Sequence, residues 1–132
     1  MDEKVKRAIV KAVKKEPFAQ ALKMELVELE DGYSVVKMVY DPDKMDNIYS
    51  RAHGGAVFGL IDEAFETAGQ TEGTIALALN VDILYLASPQ SGVELKVEVR
   101  RVSQTKMTAI YSSSPFSPSN MESVIFHLGS WF

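Results

Sequence analysis

The chain has 132 residues, 46% of them hydrophobic and 24% charged, enough for one domain with a real core and too few for two, so a single domain over residues 1–132 is expected. A net charge of −4 gives no electrostatic reason to bind nucleic acid or an acidic membrane, and no apolar run approaches the length of a membrane span. There is no cysteine, which excludes a disulfide framework, a thiol nucleophile and a thiolate metal site; with the charged start Met1-Asp2-Glu3-Lys4, the default expectation is a cytoplasmic protein.

Residues 3–15 are predicted to form an amphipathic helix, because Val5, Ala8, Ile9, Ala12 and Val13 recur at helical spacing among lysines and Pro17 ends the run. Residues 22–30 and 33–40 read as a hairpin turning on Asp31-Gly32. Its second arm alternates Tyr33, Val35, Lys37 and Val39 with Ser34, Val36, Met38 and Tyr40. Residues 41–53 are polar and proline-containing and are expected to be a long loop, a common place for function. Residues 54–69 carry a helical stripe of Val57, Leu60, Ile61, Ala64, Phe65 and Ala68, apolar over most of its circumference, with Gly69 as the expected C-cap. Strands are expected over 74–87, 93–102, 105–112 and 121–131, with a serine- and proline-rich loop over 112–120. One buried helix and about six strands do not alternate as βαβ units do; they suit an α+β domain, an antiparallel sheet of five to six strands curled around one long central helix, plus the N-terminal helix.

The chemistry concentrates at the start of that central helix. Gly55, Gly59, Asp62 and Glu66 share one helical face. Gly55 lies in the first turn, where amides lack intrahelical acceptors and the helix dipole is positive, so they can stabilise an oxyanion such as an attacked thioester carbonyl. Asp62 is then a carboxylate on an otherwise apolar helix, able to attack the carbonyl or to activate water. Spacing alone equally fits turn glycines and an acidic residue complementing the dipole. His53 either positions the helix start or is a satisfied histidine, and with His127 as the only other one a histidine metal site is not expected.

The stretch from Asn47 to Phe65, with Asn47 six residues before His53-Gly54-Gly55 and Asp62 nine residues after His53, resembles the signature of the hotdog-fold acyl-CoA thioesterase superfamily, most closely its phenylacetyl-CoA thioesterase subgroup. The similarity extends through Pro17-Phe18-Ala19, Glu28 to Gly32, and Asn80 to Leu86 with Pro89. It implies the hotdog fold, an acyl-CoA substrate with no cofactor or metal, and a homodimer, often paired into a homotetramer, in which the carboxylate of one subunit faces the glycine amide of the other. On that resemblance Asp62, Gly55, Asn47 and His53 form the catalytic set, Asn47 orienting water or thioester. Gly54, Phe58, Gly59, Arg51, Arg100 and Arg101 are candidate substrate contacts, the arginines (with Lys106) for the phosphates of CoA. Acyl selectivity would depend on which of Phe58, Phe65, Leu60, Tyr49 and Met45 line the pocket. The chain departs from the family pattern at Ser50, where a glycine is usual, at Ser103-Gln104-Thr105, and after Tyr111. Glu63, adjoining Asp62, points about a quarter turn away. The alternatives are a non-catalytic acyl-CoA-binding hotdog module and a hydratase, for which no His/Asp or His/Glu pair is evident.

Overall fold

Asp2 closes the first helix by accepting from the Lys4 and Val5 amides at 2.6 and 3.3 Å. The computed structural model describes residues 1–85, 88–116 and 128–131. This first helix, α1, spans Glu3–Val13, two residues shorter than its periodicity suggests. Pro17 does more than end it: it occupies the first turn of a short helix α2 (Pro17–Ala21), where its missing N–H leaves nothing unsatisfied. The hairpin strands are β1 (Glu25–Glu30) and β2 (Tyr33–Val39). The first begins later than residue 22 because Leu22 caps α2 and Lys23 turns the chain with φ +54°. At the hairpin turn Gly32 has φ +61°, the left-handed region that glycine enters without penalty, and its amide donates to Thr71 Oγ1 at 2.8 Å.

The segment expected to be wholly loop contains one helical turn, α3 (Pro42–Met45), capped by the Asp41 carboxylate accepting from the Asp43 amide. Buried Tyr40 and Met45 pin it from below, and the Tyr40 hydroxyl donates to the Asp46 carboxylate. The central helix, α4 (Gly54–Gly69), has the predicted bounds, with Gly69 as its last residue and Gln70 as the cap. Its predicted stripe is the buried one, packed with Val36, Met38, Leu95, Val97, Val99, Ala109 and Tyr111 in a single core. Phe65 meets Tyr111 edge to face, ring centroids 5.3 Å apart. Ser34, Val36 and Met38 form the core face of β2, which buried Tyr40 continues just past its end, and the buried Ser34 hydroxyl donates to the Ala64 carbonyl.

The remaining strands are β3 (Leu77–Val81), β4 (Glu94–Gln104), β5 (Ala109–Phe116) and β6 (Leu128–Trp131). All pairings are antiparallel, in the order β1-β2-β4-β5-β6-β3, so the architecture is the expected α+β one with β3 at an edge. Three expectations are corrected. The strand predicted over 74–87 is only five residues long among the described residues. The strand predicted to start at 105 starts at 109, because Thr105 builds the preceding turn: its Oγ1 accepts from the Met107 and Thr108 amides at 3.2 and 3.0 Å. The serine-rich segment expected to be loop from 112 instead extends β5 to Phe116, since pairing with β4 (Ser113 opposite Val99, Ser114 opposite Glu98) overrides local propensity. The rest of that segment, and the start of the strand expected at 121, lie outside the described residues.

Candidate active site

His53 is the N-cap of α4, and its side chain does the capping: Nδ1 accepts from the Gly55 amide at 2.9 Å. The His53 carbonyl takes the Ala56 and Val57 amides at 2.9 and 3.4 Å. The Gly54 amide has no acceptor among the described residues. The expectation of an unpaired Gly55 amide is therefore corrected: His53 Nδ1 is its acceptor. The glycines themselves are needed for close approach. A Cβ at Gly55 would lie 2.9 Å from His53 Nδ1, and one at Gly54 would lie 3.2 Å from Tyr85 Cζ. The Tyr85 hydroxyl donates to the Gly54 carbonyl at 3.0 Å and so fixes the helix start from a second direction.

The loop before the helix is built on Asn47. Its Oδ1 accepts from the Tyr49 and Arg51 amides at 2.9 and 3.2 Å, and its backbone N–H donates to the Arg51 carbonyl at 2.7 Å. The side-chain amide nitrogen has no acceptor among the described residues. Ser50 has φ +55° and holds the left-handed conformation without glycine's freedom. Arg51 is exposed in this loop.

Asp62 is half-buried and has neither an ion pair nor a hydrogen bond among the described residues. Burial, and then the nearby charge of Glu16, raise its carboxyl above the ordinary aspartate value. Asp62 follows Gly55 by seven residues, about 10 Å along the axis at ~1.5 Å per residue, too far for one helix to place both on one carbonyl. The face these residues share is not wholly bare either. At Gly59 an added Cβ would lie 2.7 Å from Phe18 Cζ, so that glycine seats the ring of α2.

The other candidates divide. Arg101 bridges Asp31 at 2.7 Å and Glu72 at 2.9 Å, and Arg100 pairs with Glu98 at 2.9 Å while stacking on Tyr33. Both lie at the hairpin-turn end of the sheet, by the C-terminal end of α4, so one protomer does not bring them to its own Gly55. Of the residues expected to line a pocket, Met45, Leu60 and Phe65 are core, Phe58 is half-buried and Tyr49 is exposed. The open cleft of about 440 Å³ beside β2 and α3 includes neither Asp62 nor Gly55. Sequence reasoning placed Phe18 and Tyr85 within the resembling stretches but gave them no role, and missed Glu16. Each acts through a contact distant in sequence.

No protein-family model matches the chain. It is 31% identical over 93 residues to the acyl-coenzyme A thioesterase PaaI of Escherichia coli K12, covering 70% of this chain. A protein of Archaeoglobus fulgidus whose name suggests an esterase is 33% identical over 98 residues, 74% of this chain. These matches span 66% and 63% of the relatives' own lengths. The solved structure of the E. coli PaaI protein from the phenylacetic acid degradation operon superposes with a TM-score of 0.89 at 25% identity, covering 97% of this chain and 92% of that one. The structure of smu.793 from Streptococcus mutans bound to acetyl CoA superposes with a TM-score of 0.75 at 26% identity, covering 82% of this chain and 86% of that one.

Proposed function

This chain belongs to the hotdog-fold acyl-CoA thioesterase superfamily, and on that premise we propose that it hydrolyses an aryl- or medium-chain acyl-CoA to the free acid and CoA. One observation carries the reading. Asp62 is a half-buried carboxylate without an ionic partner among the described residues, on a helix whose first turn presents main-chain N–H groups. As a general base, Asp62 takes a proton from water as its oxygen bonds to the thioester carbon, and the resulting oxyanion collapses to expel CoA thiolate. As a nucleophile, Asp62 itself forms the bond, thiolate leaves, and water cleaves the mixed anhydride. In both routes the Gly55 amide, exchanged from His53 Nδ1, stabilises the oxyanion, and the Asn47 side-chain amide orients water or thioester. Arg51, on the same loop, is the basic residue of the expected set best placed for a CoA phosphate.

The separation of Gly55 and Asp62 along α4 supports a site shared by two protomers, as a homodimer or a pair of homodimers. Edge strand β3 gives the same proposal a surface: Leu77 and Leu79, with Ile75 just before the strand, are 66%, 54% and 74% exposed, and an apolar edge unpaired among the described residues favours addition of another strand. No helix among the described residues is long and apolar enough to cross a membrane, and a cytoplasmic location is part of the proposal.

The test is thiol release over a panel of acyl-CoAs with wild type and Asp62→Ala. Turnover by wild type, lost by at least about 100-fold in a folded Asp62→Ala, supports the reading. Full activity in the variant rejects the mechanism, and a wild type that binds but cleaves no thioester makes the chain an acyl-CoA-binding module.

A further inference from the structure

Three carboxylates from two parts of the chain converge on the side of α4 that faces α2. Glu16 is the N-cap residue of α2, yet its side chain makes no capping bond. Glu63 and Glu66 are one turn apart on α4. One oxygen from each of the three lies within 4.8 Å of the other two. None of them forms an ion pair among the described residues.

Glu63 makes this more than a surface patch of acidic residues. It is only 2% exposed, and its Oε1 is buried without a hydrogen-bond partner among the described residues. A buried carboxylate left like this is costly unless a proton or a cation completes it. Its carboxyl is pushed up to about 8, first by burial and then by Glu16, with Glu66 and Asp62 adding to the negative field. A cation would relieve that field for all three groups at once.

We propose that Glu16, Glu63 and Glu66 form a binding site for a divalent cation of the hard, oxygen-ligated kind. The donor set is all carboxylate, which suits Ca²⁺ or Mn²⁺ rather than Zn²⁺ or Cu²⁺. Oxygens about 2.4 Å from one ion can lie up to about 4.8 Å apart, so Ca²⁺ fits the observed spread and the shorter bonds of Mg²⁺ fit it less well. Water completes the shell, reaching it through a cleft of about 410 Å³ between α1 and α4 that is lined by Glu16 and Glu66. Such an ion would tie the α1–α2 segment to the central helix.

Mn²⁺ is the probe. The full chain, stripped with a chelator and dialysed, is titrated with Mn²⁺ while the free-ion EPR signal is followed, and Ca²⁺ is then added as competitor. The expected result is one ion per protomer, displaced by Ca²⁺, with binding at least about tenfold weaker in Glu63→Gln. Wild type that binds no Mn²⁺, or Glu63→Gln that binds it as tightly as wild type, overturns the proposal. Should Glu63→Gln fail to fold by circular dichroism, Glu66→Gln on the exposed rim replaces it, weaker binding supporting the site and unchanged binding rejecting it.

Discussion

The imidazole Nδ1 of His53 accepts the amide hydrogen of Gly55 at 2.9 Å, so the residue that starts the central helix also occupies the donor assigned to the oxyanion. His53→Ala removes the cap and is expected to lower stability by about 1 kcal/mol. His53→Asn restores a capping oxygen and should recover most of that loss. Thermal melts of the two variants measure the cap, and equal melting temperatures for His53→Ala and wild type would show that the bond contributes nothing to the fold.

Gly59 and Phe18 are expected to behave as a pair. An added Cβ at Gly59 would meet the Phe18 ring at 2.7 and 2.9 Å. Gly59→Ala should therefore displace the ring toward solvent, and because that half-exposed ring can shift and alanine is the better helix former by about 1 kcal/mol, the net loss should stay below about 1 kcal/mol. The loss should be smaller in a Phe18→Leu background, because the shorter side chain yields the space. A double-mutant cycle in urea reads the coupling, and additive effects would mean that the ring moves aside freely.

The pH dependence of stability has a defined sign at Glu63. Its folded-state value of about 8 lies above the ordinary value of 4.5. Below 4.5 the group is protonated folded and unfolded, and its contribution is fully present. As pH rises toward 8 the unfolded chain releases the proton while the folded chain keeps it, so stability declines and the contribution is gone above 8. In chelator-containing buffer, Glu63→Gln should flatten this decline and be the more stable form at about pH 9. Parallel denaturation curves for wild type and variant from about pH 5 to 9 would contradict it.

The exposed apolar edge of β3 predicts the behaviour of Leu77→Lys. A charge on this edge opposes pairing with another strand, as natural edge strands show. Wild type is expected to run as a dimer or tetramer in analytical ultracentrifugation, and Leu77→Lys to shift toward monomer with loss of thioester hydrolysis. A fully active monomeric variant would place the whole site within one protomer.

The central helix was legible in the sequence because its buried stripe, Val57 through Ala68, repeats every three to four residues and the two glycines mark its start. The hairpin at Asp31-Gly32 was legible because glycine enters without penalty the left-handed conformation that a tight turn requires. Asp62 stood out with Glu63 and Glu66 as the charges on a helix otherwise nearly apolar. The tertiary structure alone decided what those residues touch. Neither the Phe18 ring against Gly59, nor the Tyr85 hydroxyl on Gly54, nor Glu16 beside Glu63 has a periodicity or spacing to announce it, because each joins segments whose relative placement is set by packing. The same holds for β5, where serines form a strand only because β4 offers them a ladder. Local chemistry fixes which elements can form, whereas burial, and with it the energy of a carboxylate such as Glu63, exists only once the elements are assembled.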